Sequence, residues 1–252
     1  MENKPKNYLN DEHLSIGTRE YLRVLNAGGR PVESLPVAEA RKVLADVQAA
    51  VEVDLSGIDE REREIVADGH ALTLHLVRPH GSRGRLPYFV FIHGGGWVLG
   101  DYPTHRRLIR DLVVESEVAA VFVDYTPSPE AKYPQAVDEI YAAVKWVAEN
   151  DAELDLDRRR MALVGNSAGG NMALAAALLA KKRHAPAVRA LVLLWPVTSA
   201  SSDWKSYALY GGERFLTAPL MKWMFDRYTT DARAREEILL SPVNASREEL
   251  FG

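Results

Sequence analysis

The chain has 252 residues, of which 47% are hydrophobic, which is enough to bury one sizeable core and an ordinary size for a single α/β domain. Its formal net charge of -4 gives no electrostatic reason to expect nucleic acid or an anionic membrane as partner, so a small neutral ligand is the better expectation. The lack of cysteine excludes disulfides and thiolate metal sites, and no apolar stretch reaches the length of a signal peptide or a membrane span. We therefore expect a cytoplasmic protein without stable membrane insertion.

Helices are predicted in the first part of the chain. Apolar residues of segment 37–51 recur at helical spacing after the start signal Pro36, and Gly28, which a second glycine follows, would end an earlier helix. We interpret residues 1–54 as a helical segment of their own, with a soft boundary in the charged stretch 54–63.

Strand patterns begin after this stretch. Leu72, Leu74 and Leu76 alternate with polar residues, and Asp68-Gly69 suits a tight turn, so an antiparallel hairpin is predicted. Beyond it, apolar runs alternate with helical segments, and their consecutive apolar residues indicate strands that helices cover on both faces. The sequence thus predicts an α/β fold with a mostly parallel central sheet. The predicted strands are 86–92, 118–124, 161–165 and 190–195, and the predicted helices are one after residue 104, 134–149 and 167–182.

Segment 198–235 is rich in aromatic residues and has no strand pattern. It is a candidate insertion that, with the N-terminal helices, would form a helical lid over the carboxyl edge of the sheet. A surface helical insertion with its own small core fits the pattern equally well.

A predicted strand-to-helix turn carries the G-x-S-x-G pattern in Gly165-Asn166-Ser167-Ala168-Gly169. A serine at such a turn is held in a strained backbone conformation that exposes its Oγ at the sheet edge. We therefore predict that Ser167 is a catalytic nucleophile and that the Ala168 N–H, at a helix N-terminus, donates to an oxyanion. The alternative is a glycine-rich turn whose serine only caps the helix.

A second motif, His93-Gly94-Gly95-Gly96-Trp97, follows a predicted buried strand. Successive glycines let the backbone approach a ligand closely and turn its amides toward one point, so Gly94 and Gly95 are predicted oxyanion donors. A phosphate-binding loop is disfavoured because neither Lys-Ser/Thr nor the G-x-G-x-x-G spacing is present. His93 is expected to brace the loop by hydrogen bonding. Trp97 is expected to line the substrate pocket or, equally, to be a core aromatic.

These motifs resemble those of the hormone-sensitive-lipase-like carboxylesterases. The resemblance rests on HGGGWVLG at 93–100, VDYTPSPEAKYPQAVDE at 123–139 and DRRRMALVGNSAGGNMA at 157–173, and it covers most of the chain after about residue 65. It implies an α/β-hydrolase core over residues 55–252 with a helical lid. It also implies a small-molecule ester substrate with a short to medium acyl chain and an acyl-enzyme on the serine. No metal or organic cofactor is expected, since no residues in the sequence have metal-ligand spacing.

Two positions depart from the pattern of that family. Asn166 stands where the family most often has Asp before the nucleophile, and it is a further candidate for the substrate pocket. Thr126-Pro127-Ser128 replaces the more usual Arg-Leu-Ala. The first change is expected to alter the hydrogen bonding beside the serine without abolishing its nucleophilicity.

A serine nucleophile needs a base, and in this fold the acid and the histidine follow the serine in the chain. The histidine that follows Ser167 is His184, which a helix would place roughly 25 Å away at 1.5 Å per residue. We therefore expect both partners beyond Gly252, in a truncated or incompletely represented esterase. Its last strands would be missing too, which leaves strand 190–195 with an unpaired edge.

The leading hypothesis is thus an ester hydrolase, impaired if the chain really ends at Gly252. The alternative is a non-catalytic protein that binds a small molecule in the same pocket, as in the hormone-receptor members of the family, which keep the serine and lose the base. Nucleic acid is not expected as a partner, and the sequence leaves homo-oligomerisation open.

Overall fold

The computed structural model describes residues 7–250, so residues 1–6 and 251–252, the outer ends of the two predicted segments, lie outside the described residues. The strands are β1 (Ile58–Ala67), β2 (His70–Pro79), β3 (Leu86–Ile92), β4 (Ala119–Asp124), β5 (Leu156–Asn166) and β6 (Ala190–Leu194). They form one sheet in the order β1-β2-β4-β3-β5-β6, in which β2 is antiparallel to β1 and β4 and the other neighbours are parallel.

Nine α-helices lie within the described residues, and none of them is both long and apolar enough to cross a membrane. They are α1 (Ile16–Asn26), α2 (Val37–Ala49), α3 (Tyr102–Ser116), α4 (Gln135–Glu149), α5 (Ala168–Lys182), α6 (Lys205–Tyr210), α7 (Ala218–Tyr228), α8 (Ala232–Glu236) and α9 (Arg247–Leu250).

Each face of the sheet buries its own core. Successive side chains of a strand point to opposite faces, so Val90 and Ile92 of β3 join the core under α4 and α5, whereas Phe89 and Phe91 join the core that contains Ile109 of α3. Helices therefore cover both faces. The predicted α/β fold with a mostly parallel sheet is confirmed.

The predicted hairpin is β1 and β2, and its turn has positive φ at both central residues, 47° at Asp68 and 89° at Gly69. The prediction that stretch 54–63 separates the helices from the sheet is corrected, because β1 already begins at Ile58. The physical reason is that residues 59–64 lie exposed on an edge strand and are charged, so they show no apolar alternation.

The charges of β1 alternate between the two faces of the sheet. Glu60 forms an ion pair with Arg106 of α3, and Arg63, on the opposite face, pairs with Glu153 at 2.5 Å. This alternation follows from the period of a strand. Glu60, Glu62 and Glu64 share one face, and Arg61 and Arg63 share the other.

At the other edge, β6 pairs with β5 alone among the described strands. Its apolar residues Leu191 and Val192 remain 38% and 44% exposed. Among the described strands, β6 therefore has the unpaired edge that was predicted for strand 190–195.

The N-terminal helices contact segment 198–235, which contains α6, α7 and α8. The side-chain amide of Asn26 donates to the Glu213 carbonyl at 3.3 Å. Arg214 and Asp11 form an ion pair of 2.9 Å, in which the two side chains are 12% and 4% exposed. The domain limits and the role of these helices as a lid stay predictions.

Candidate active site

Ser167 lies between the last residue of β5, Asn166, and the first residue of α5, Ala168, with φ 54° and ψ -122°. These angles lie outside the regions that side-chain-bearing residues favour, so the backbone is strained at the serine. A Cβ on Gly165 would lie 2.4 Å from the Gly169 carbonyl oxygen, so the turn requires glycine there. The Ser167 side chain makes no capping hydrogen bond to α5, which argues against a serine that serves only as a helix cap.

The end of β6 holds this turn in place. The Ser167 N–H donates to the Leu194 carbonyl at 2.9 Å, and the Val197 N–H donates to the Ser167 carbonyl at 3.2 Å. The strained peptide is thus fixed from both sides by the neighbouring segment.

Gly94 lies directly beside the serine. A Cβ on Gly94 would be 3.1 Å from Ser167 Cβ and 2.6 Å from the Asn166 carbonyl oxygen. The Gly94 N–H, however, donates to Asn166 Oδ1 at 2.9 Å. The prediction of Gly94 as an oxyanion donor is therefore corrected, because its one N–H is already engaged. The Ala168 N–H is at the first position of α5, where the helix itself supplies no acceptor.

Gly95 and Gly96 carry amides that have no hydrogen-bond acceptor within residues 7–250. The Gly95 carbonyl accepts from the N–H groups of Val98 at 3.2 Å and Leu99 at 2.8 Å, which closes a tight turn. The two glycines have φ of 113° and 61°, and a Cβ on either would lie 2.0 Å from another atom, the Leu99 oxygen or Met224 Sδ respectively. The sequence did not identify Gly96 as a candidate oxyanion donor.

His93 braces the glycine tract, as predicted. Its Nδ1–H donates to the Gly94 carbonyl at 2.7 Å, and the Tyr125 hydroxyl donates to the His93 carbonyl at 3.1 Å. Burial, assisted by the neighbouring His105, lowers the pKa of His93 to about 3. The ring is therefore neutral near pH 7 and acts as a hydrogen-bond donor rather than as a catalytic base.

Asn166 links the glycine tract to α3. Its Nδ2 lies 3.4 Å from His105 Nε2, and His105 Nδ1 lies 3.2 Å from the Asp101 carbonyl, to which it donates. Burial lowers the pKa of His105, so the neutral ring can accept at Nε2. The prediction that Asn166 lines the substrate pocket is corrected, because its side chain is engaged by Gly94 and His105.

A cavity of about 610 Å³ opens beside the half-buried Ser167. None of its described lining residues carries a charged side chain, so the cavity suits a neutral, mostly apolar ligand. The sequence showed the aromatic richness of this region but did not assign it to the site. The lining includes the aromatic residues Trp195, Trp204, Tyr207 and Tyr210 and the apolar residues Leu216 and Met221.

Trp97 does not line this cavity. Its side chain is fully buried, with its ring 4.7 Å from that of Tyr228 and 4.9 Å from that of Phe225. The prediction of Trp97 as a pocket residue is wrong, and the alternative of a core aromatic is confirmed. The loop packs the indole against Phe225 and Tyr228 of α7.

No hydrogen bond joins a histidine ring to Ser167 Oγ within the described residues. The rings of His75, His80, His93 and His105 bind other groups. His184 follows the far end of α5 on the exposed surface. Within residues 7–250, no group of three or more His, Cys, Asp or Glu side chains is placed to hold a metal ion.

A strained serine between a parallel strand and a helix, next to a glycine tract with free amides, is the arrangement found in serine hydrolases. The chain belongs to the α/β-hydrolase-fold family, whose model matches residues 89–252. The resemblance to the carboxylesterases within that fold is confirmed by the relatives described next.

The crystal structure of a thermostable esterase from Pseudomonas putida ECU1011 is 52% identical, with a TM-score of 0.94 over 96% of this chain and 76% of that one. An ethyl acetate hydrolase of Pseudomonas putida is 31% identical over 236 residues, which are 90% of this chain and 74% of the relative. Carboxylesterase NlhH of Mycobacterium tuberculosis is 38% identical over 147 residues, which are 58% of this chain and 46% of the relative. The chain therefore spans about half to three quarters of the length of these two curated relatives.

Proposed function

We propose that the protein is a serine-dependent carboxylic ester hydrolase that acts on short to medium acyl esters. The observation that carries the proposal is the strained Ser167, which borders a neutral cavity and contacts a glycine tract with two free amides. Relatives that are named as an esterase, an ethyl acetate hydrolase and a carboxylesterase support it.

In the proposed reaction, Ser167 Oγ attacks the ester carbonyl and forms a tetrahedral oxyanion. The N–H groups of Gly95, Gly96 and Ala168 donate to that oxyanion, which then collapses to an acyl-enzyme as the alcohol leaves. Water attacks the acyl-enzyme and releases the acid. The serine must lose its proton during attack, so the reaction requires a proton acceptor in addition to the groups that residues 7–250 bring to Ser167.

The cavity supports an uncharged substrate with an apolar group. A charged group would lose its hydration against aromatic and aliphatic walls and would meet no opposite charge among the described lining residues. Burial of an acyl chain against these walls gains about 0.8 kcal/mol for each methylene until the cavity is filled. Activity should therefore rise over the first few carbons and fall for long chains.

The test is hydrolysis of p-nitrophenyl esters of two to sixteen acyl carbons by the full-length protein and its Ser167→Ala variant. We expect the variant to lose at least about a thousandfold in kcat/KM, because no other group replaces the nucleophile. The matched control is Ser116→Ala, on the exposed surface of α3, which should keep wild-type activity. Equal rates for Ser167→Ala and the wild type would reject the mechanism.

A second candidate is a protein that binds a neutral small molecule in this cavity without turning it over. The observation that favours it is that no described histidine hydrogen-bonds to Ser167 Oγ. Its signature would be quenching of tryptophan fluorescence by an aromatic ester, from Trp195 and Trp204 in the cavity, without any turnover that depends on Ser167.

A further inference from the structure

Arg41 of α2 contacts two loops: the turn that follows the glycine tract, which contains Val98, and the loop that contains Ser128. Its Nε–H donates to the Val98 carbonyl at 2.8 Å, and Nη2 donates to the Ser128 carbonyl at 3.0 Å. Nη1 and Nη2 also bind the two carboxylate oxygens of Glu130 at 2.8 and 2.6 Å. All three guanidinium nitrogens thus have partners, in a geometry that the planar fork of arginine fits and a lysine ammonium does not.

The two loops that Arg41 contacts also bind each other. The Ser128 N–H donates to the Trp97 carbonyl at 2.7 Å, and the Val98 N–H donates to the Gly95 carbonyl at 3.2 Å. Val98 and Ser128 are 0% and 1% exposed, so water is a poor substitute for the guanidinium at their carbonyls. The backbone of Val98 is therefore bound at its N–H by the Gly95 carbonyl and at its carbonyl by Arg41.

We propose that Arg41 is a positioning residue for the oxyanion hole. By holding the Val98 carbonyl it fixes the turn of residues 95–99, whose first two amides, those of Gly95 and Gly96, face the developing charge. This inference rests on the proposed function, in which those two amides bind the oxyanion. It also gives the N-terminal helix α2 a part in the chemistry without contact between the helix and the substrate.

The alternative is that Arg41 only tethers α2 to the surface through Glu130, whose side chain is 54% exposed. Lys42, the next residue of the same helix, provides the matched control. It pairs with Asp46 at 2.6 Å, both side chains are exposed, and neither contacts a loop of the site. Loss of a surface ion pair of α2 should thus leave the glycine tract unchanged.

The deciding experiment is amide hydrogen exchange of the wild type and of Arg41→Met, Arg41→Lys and Lys42→Met. In Arg41→Met, exchange in peptides that cover residues 94–100 should accelerate by about tenfold or more, with a smaller acceleration in Arg41→Lys and none in Lys42→Met. Peptides that cover 168–182 should be unchanged in all three. Wild-type protection of 94–100 in Arg41→Met, or in Arg41→Lys if Arg41→Met fails to fold, overturns the proposal.

A second measurement reports on positioning itself, through the rate at which a fluorophosphonate labels Ser167. In this reaction the Oγ–P bond forms, the P–F bond breaks, fluoride leaves and the hydroxyl proton passes to a base or to solvent. Labelling should slow by about tenfold in Arg41→Met and stay constant in Lys42→Met. If the wild type reacts and Arg41→Met is labelled at the same rate, the proposal is overturned. If the wild type itself does not react, it is the hydrolase mechanism that fails, and the exchange data still decide the role of Arg41.

Discussion

The buried ring of His93 makes the free energy of unfolding of this protein depend on pH. His93 stays neutral in the folded state down to about pH 3, whereas the unfolded ring takes up a proton below about its ordinary pKa of 6.5. The unfolded state thus binds more protons between these values, and the free energy of unfolding falls as the pH is lowered through this window.

We expect His93 to contribute up to about 1.4 kcal/mol per pH unit to the slope of stability against pH below 6.5. The measurement is urea unfolding of the wild type and His93→Gln between pH 5 and 7. The glutamine amide can still donate to the Gly94 carbonyl, so the variant should fold but show a flatter pH dependence, whereas His184→Gln, at an exposed ring, is the control. Parallel slopes for the wild type and His93→Gln would contradict the expected effect.

At this same scale, the sequence predicts the chemistry of the site better than its geometry. Ser167 and the bracing His93 follow from local motifs, because strand, turn and glycine spacing are encoded within a few residues. Which glycine amide is free depends on the Asn166 side chain, which comes from 72 positions further along the chain. The direction of Trp97 likewise depends on its contact with α7, which no local pattern encodes.

The side chain of Met224, in α7, fills the space beside Gly96 and leaves no room for a Cβ there. An alanine at position 96 would place Cβ 2.0 Å from Met224 Sδ and would be strained at φ 61°. We expect Gly96→Ala and Met224→Ala each to destabilise the protein, and the double variant to lose about 1–2 kcal/mol less than the sum, because the shorter side chain relieves the clash. Urea unfolding of the four proteins measures this coupling.

The control for this coupling is Gly95→Ala. Its Cβ would meet the Leu99 carbonyl oxygen, which no side-chain change removes. Gly95→Ala combined with Met224→Ala should therefore be additive, and a coupling as large as that of Gly96→Ala would show that the Met224 contact is not the cause.

Secondary elements were predictable where apolar period and turn chemistry agree. Strands β3, β4 and β6 and the helices before and after Ser167 lie close to their predicted limits, because each has its own local start or stop signal. Strand β5 begins at Leu156, five residues before the predicted 161–165, because its first part is charged rather than apolar. β1 begins earlier than predicted because residues 59–64 of this exposed edge strand are all charged and do not alternate with apolar residues. The walls of the cavity could not be predicted, because α6 and α7 meet the serine only through tertiary packing.

Across the whole molecule, the ion pair of Asp11 and Arg214 joins the first part of the described chain to the segment beside the cavity. Since both side chains are largely buried, we expect Arg214→Met to lower the free energy of unfolding by about 1.5–3 kcal/mol, because a hydrogen bond between two charged groups is lost inside the protein. Thermal and urea unfolding measure the loss. Arg23→Met, which removes a pair with Glu20 in which both side chains are more than half exposed, should change stability little, and a similar loss in both variants would contradict the distinction.

The two-sided charge of β1 also governs how one molecule can meet another. In an antiparallel pairing of two β1 strands about a twofold axis, some residue must face its own copy, because opposed side chains have to share a face. With Glu62 at that centre, Glu60 faces Glu64 and Arg61 faces Arg63, so the five central residues of each strand meet like charges. In this register the like charges of β1 therefore oppose the pairing of two molecules edge to edge.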